Sequence, residues 1–134
     1  PLMSPKPKMM EKMPMGTHFE GTHRASRLIG RQVTNHEGEE LGQIEDLIVD
    51  PDGRVNYLVL SRGGMLGFGA DRVAVPVTAA QPRFDMEGRC IVNLDKQTLD
   101  TAPSFASNQW PDFSDRSWEE EVRGYFRTSE GGSQ

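Results

Sequence analysis

The side chains best suited to chemistry in this 134-residue chain lie near its N-terminus, on two turns and in a glycine-rich stretch. Met9, Met10, Met13 and Met15 crowd the first fifteen residues, and His18 and His23 follow. Thioethers are soft donors that suit Cu(I), and an imidazole can complete such a site. No strict spacing relates these six residues, so the expectation is a disordered tail or an arm that packs apolar side chains on a neighbour, with no metal held. Glu45, Asp46, Asp50 and Asp52 raise the question of calcium. They lack the alternation and the closing glutamate of an EF-hand loop, and read as an exposed face followed by a hairpin turn.

Gly63-Gly64-Met65-Leu66-Gly67-Phe68-Gly69 has enough glycine to suggest a phosphate cradle. It sits between two strand-like runs, where a phosphate loop would join a strand to a helix, and no Gly-Lys-Ser/Thr follows. Its apolar residues Met65, Leu66 and Phe68 either fold back onto the sheet or present a sticky loop tip; the expectation leans to the tip, a surface for self-association or for a partner. The single cysteine, Cys90, makes no intrachain disulfide and no cysteine-based zinc site. His18, His23 and His36 are far upstream of it, and the expectation is a small buried side chain in a strand. No catalytic residue and no cofactor are expected, and so no enzyme.

Half of the aromatic residues, Trp110, Phe113, Trp118, Tyr125 and Phe126, fall in the C-terminal segment. Two readings stay open there. The segment packs as a helix on its own sheet, or it is swapped onto a second copy. Either way these five residues join the loop tip as candidates for a partner or self-association surface.

The formal charge is −5, and the arginines are scattered singly along the chain. That balance argues against direct binding to nucleic acid, which needs clustered positive charge. No apolar run approaches the length of a membrane span. The cytoplasm is the expected compartment, with a secreted or periplasmic location left open because the chain starts at Pro1 and its true N-terminus is undefined.

The elements that must carry these residues are short. Leu28 to Val33 reads as a first strand region and Asn35-His36-Glu37-Gly38 as a turn. Leu41 to Val49 is a second strand. Asp50-Pro51-Asp52-Gly53 is the clearest turn, with proline presetting φ and glycine supplying a positive one. Val55 to Leu60 follows, with Val55, Tyr57 and Val59 on one face. Val73 to Val77 is a fourth strand, in which Pro76 belongs at an edge or a bulge. Asp85-Met86-Glu87-Gly88 is a third turn, and Cys90 to Leu94 a fifth strand. Strands of this length and spacing make an all-β sandwich or small barrel.

Asp95 can cap a short helix that stops before Pro103. Ser117-Trp118-Glu119-Glu120 has the capping-box spacing. Trp118, Val122, Tyr125 and Phe126 then fall on one face of an amphipathic helix. The expected organisation is a flexible arm over 1–23, a β-domain over 24–105, the aromatic segment and helix over 106–130, and a disordered tail over 131–134.

The run Ala25-Ser26-Arg27-Leu28-Ile29-Gly30, followed by Asn35 to Asp50, resembles the PRC-barrel family. So do Gly53-Arg54-Val55, the glycine-rich loop, Val73-Ala74-Val75-Pro76, and Leu94 to Leu99 with Ala102-Pro103. The resemblance implies a small barrel of about five to six strands, with a short helix after the last strand. It also implies a docking and assembly role with no catalytic constellation. Similar domains occur in the photosynthetic reaction-centre H subunit and in the ribosome maturation factor RimM. Within these 134 residues no apolar run matches the membrane helix of the first, and residues 1–23 are too few to be the domain that precedes the barrel in the second. The expected function is therefore an adaptor that forms a homo-oligomer and docks a protein partner of unknown identity. The alternatives are a small-ligand or metal-binding protein using the Met/His arm, and a ribosome-maturation accessory.

Overall fold

Three five-residue loops of one design turn the chain back on itself: Asn35 to Glu39, Asp50 to Arg54 and Asp85 to Arg89. In each, the side-chain oxygen of the first residue accepts from the backbone N–H two and four residues on, at 2.9–3.0 Å. The fourth residue is always glycine, with φ of 84°, 87° and 88°, and its N–H bonds the first residue's carbonyl. An Asn or Asp that satisfies two backbone donors, followed by a glycine in the left-handed region, is a complete recipe for a tight hairpin. All three turns expected from the sequence are therefore present.

The computed structural model describes residues 21–63 and 71–131. After a helical turn α1 (Ala25–Leu28) come β1 (Gln32–Asn35), β2 (Glu40–Val49), β3 (Val55–Arg62) and β4 (Asp71–Pro76). A short α2 (Val77–Ala80) leads to β5 (Arg83–Phe84) and β6 (Cys90–Val92), then α3 (Lys96–Asp100) and α4 (Arg116–Gly131). The six strands form one sheet in the order β4-β3-β2-β1-β6-β5. Only β1 and β6 pair in parallel; the other ladders are antiparallel. Among the described residues no ladder joins β4 to β5, so the hydrogen-bonded sheet is open at both ends.

Two register shifts in β2, between Ile44 and Asp46 and between Ile48 and Val49, bend that strand. Gly42 permits a close crossing: a β-carbon there would lie 2.4 Å from the Ser61 carbonyl oxygen, and φ is 137°. Ile44, Leu60 and Val73 are paired across three strands, as are Leu47, Leu58 and Val75. Directly paired residues share a face. These residues, with Val33, Leu41, Cys90, Val92 and Leu99, make the main core.

Several elements differ from the sequence expectation. Residues 25–28 form a helical turn, so the first strand begins at Gln32. Val77 leaves the sheet for α2, because Pro76 has no N–H to continue the ladder. The two-residue β5 was too short to register as a periodic run. In β3, Tyr57, Leu58, Val59 and Leu60 are all buried, where alternation predicts one wet face. The second face is covered by α4, which packs on β4 and buries Val122 and Phe126. Helix α4 is capped two residues before the capping-box serine: the Asp115 carboxylate accepts from the Ser117 N–H at 2.9 Å. Asp95 caps α3 as expected, accepting from the Thr98 N–H at 2.8 Å.

Candidate docking surfaces

The segment between α3 and α4 closes one edge of the sheet. Phe105 exchanges two backbone hydrogen bonds of 2.9 Å with Arg72, on the outer side of β4. That covers part of an edge that would otherwise template pairing with another chain. The Phe105 ring meets Trp110 edge-on at 5.1 Å and Phe113 at 6.4 Å. Phe113 in turn meets Trp118 at 5.1 Å, and Trp118 lies 5.3 Å from Tyr57. The rings thus run from the buried Tyr57 outward to Trp110, which is 36 % exposed. Tilted and edge-on contacts of this kind add to the burial of the rings themselves. The Trp110 indole N–H donates to the Ser107 carbonyl at 3.0 Å, which fixes the ring's orientation. Two residues on, the Asp112 carboxylate accepts from the Ser114 N–H and hydroxyl, and these bonds hold its pKa below the usual carboxylate range.

Helix α4 secures this annex from the other side. Arg123 stands 5.0 Å from the Tyr57 ring centroid, pairs with Glu119 at 3.1 Å and reaches Asn56. Among the described residues the buried Tyr57 hydroxyl has no hydrogen-bond partner within bonding geometry. Burial raises its pKa, and the Arg123 charge partly offsets the rise. The Tyr125 hydroxyl donates to the Thr98 carbonyl at 2.6 Å and meets the Thr101 hydroxyl at 2.7 Å.

Of the five C-terminal aromatics, Phe126 is a core residue, 1 % exposed, and offers no surface to a partner. Phe113, Trp118 and Tyr125 are half-buried against the core, and Trp110 alone among the five is counted exposed. The loop-tip residues Met65, Leu66 and Phe68 lie outside the described residues, as do Met9, Met10, Met13, Met15 and His18. His23 is described, and its Nε2 donates to the Asp85 carbonyl at 2.9 Å while its Nδ1 is buried.

Asp50 holds its hairpin loop, and Glu45 pairs with Arg72 at 3.4 Å. Cys90 is fully buried in β6, and burial pushes its thiol up to about 12. Among the described residues no group of three or more His, Cys, Asp or Glu side chains could hold a metal ion, and no helix is long and apolar enough to cross a membrane. Sequence reasoning missed Phe105 and Tyr57, the two rings that tie the annex to the sheet. The hydrophobic pattern places Tyr57 in a strand but assigns Phe105 to none, and it cannot show which rings meet.

Residues 20–98 match the family model for the PRC-barrel domain. No curated protein matches the chain.

Proposed function

The chain belongs to the PRC-barrel domain family, and from that premise we propose that it is a non-catalytic assembly module that self-associates and docks a protein partner. In this reading the bent six-stranded sheet is the family's barrel, and the aromatic annex beyond residue 98 is an addition to it. The carrying observation is Trp110. It is a large ring at the outer end of a continuous aromatic series, hydrogen-bonded to the Ser107 carbonyl and 36 % exposed. Tryptophan in such a setting is the side chain most enriched at the energetic centres of interfaces. The non-catalytic part is supported by the state of Cys90, whose buried thiol stays protonated at neutral pH and is no nucleophile.

Light scattering on the full chain tests the reading. The expected result is a dimer or larger species. A strict monomer at high concentration contradicts self-association, and a reproducible hydrolytic activity lost on mutating one residue contradicts the non-catalytic role.

A further inference from the structure

Two arginine side chains converge over the β5–β6 hairpin. A β-carbon built on Gly88 would lie 3.5 Å from Arg31 Nε and 3.8 Å from Arg27 Nε. Both guanidinium groups therefore share one face of that glycine. Arg31 Nε donates to the Arg27 carbonyl, which holds the pair in place. The carboxylates of the same hairpin are already taken: Arg89 pairs with Asp85 at 2.8 Å and with Glu87 at 3.0 Å. Among the described residues, Arg24, Arg27 and Arg31 have no acidic partner.

Beside them is an open concavity of about 570 Å³ lined by Thr22, His23, Arg24, Ser26 and Arg27. Its side chains are two hydroxyls, two guanidinium groups and an imidazole, with no carboxylate among them. Converging guanidinium groups with no acidic partner among the described residues, and two hydroxyls beside them, suit a ligand that brings oxyanions, which guanidinium groups bind with paired N–H donors.

We propose that Arg24, Arg27 and Arg31 form the docking site for an acidic, carboxylate-bearing segment of a protein partner, an inference that rests on the docking role given above. The charge distribution selects this class. The chain as a whole carries −5, so an extended polyanion such as a membrane surface or a nucleic acid meets an acidic remainder beyond the patch. A short acidic segment spans the arginines, and the carboxylates of the adjoining hairpin, Asp85 and Glu87, are already paired with Arg89.

The test is fluorescence anisotropy with a labelled peptide of ten glutamates and the full chain at low salt. The expected result is saturable binding, about tenfold weaker in the Arg24→Ala/Arg27→Ala/Arg31→Ala variant and weakened by added salt. If that variant does not fold, Arg27→Glu, which changes an exposed side chain, replaces it and should weaken binding in the same direction. No binding, equal binding by wild type and variant, or a preference for phosphatidylglycerol vesicles over the peptide overturns the proposal. Light scattering on the same samples separates the two readings. Persistent self-association with no peptide binding removes the acidic-partner inference alone. Peptide binding by a strict monomer supports the arginine site and contradicts self-association.

Discussion

The Tyr125 hydroxyl on α4 donates to the carbonyl oxygen of Thr98 on α3 at 2.6 Å. The bond joins the C-terminal helix to the last residue matched by the family domain. Thr98 occupies the C-terminal half of α3, where carbonyls lack intrahelical partners, so the phenol satisfies a group the helix itself leaves open. Tyr125→Phe should lower stability by about 1–1.5 kcal/mol, read as a drop in the urea midpoint with unchanged slope. An unchanged midpoint would mean that the bond adds nothing to the docking of α4.

How much of this was legible in the sequence depends on whether the signal is local. The hairpin loops were readable because Asn35, Asp50 and Asp85 act on backbone groups within four residues, and each glycine sits where its φ is needed. The helix face of Trp118, Val122, Tyr125 and Phe126 was readable from its spacing for the same reason. Burial of both faces of β3 was not readable, because it depends on α4, some sixty residues away in sequence. The Arg27–Arg31 pair is local, four residues apart, but the approach of the Gly88 hairpin to both side chains is not legible, because it depends on residues far along the chain. The cap of α4 was misplaced because Asp115 and Ser117 are both good cap residues, and Asp115 comes first.

Two glycines should respond in opposite directions. Gly42→Ala drives a methyl into the Ser61 carbonyl at a φ that disfavours side chains, and should cost about 2 kcal/mol or more. Gly124 lies inside α4 with open space around a would-be β-carbon. Gly124→Ala should stabilise the chain by about 0.5–1 kcal/mol. The helix tolerates this glycine because burying Val122 and Phe126 contributes about 1.5–3 kcal/mol each. Thermal melts of the two variants check both signs, and a gain for Gly42→Ala or a loss for Gly124→Ala would contradict the packing described.

Cys90 should be inert until the sheet opens. With no exposed surface and a thiol pushed up to about 12, it should not react with an aromatic disulfide reagent at pH 8 in native conditions, and should react fully in denaturant. Cys90→Ser places a hydroxyl in the same apolar site and should cost about 1–3 kcal/mol. Fast labelling of the native chain would place Cys90 elsewhere.

The Asp95 cap gives the acid limb a defined sign. Bonds from Thr98 hold the Asp95 carboxyl below its ordinary value. A depressed folded value means that this stabilisation is present above the unfolded value and is lost as pH falls through the folded one. Asp95→Ala should therefore cost about 1 kcal/mol at neutral pH and less below about pH 4. Urea midpoints of both proteins across that range check it; a gap that widens on acidification has the wrong sign.

The central claim is assembly through the aromatic annex, and Trp110 is its most direct handle. Sedimentation velocity of the wild type and of Trp110→Ala, each over a wide concentration range, compares the two at the exposed end of the aromatic series. The expected result is a self-associating wild type and a folded variant that associates at least tenfold more weakly, a difference of about 1.4 kcal/mol. Identical association of the two proteins, or a wild type that stays monomeric throughout, would contradict it.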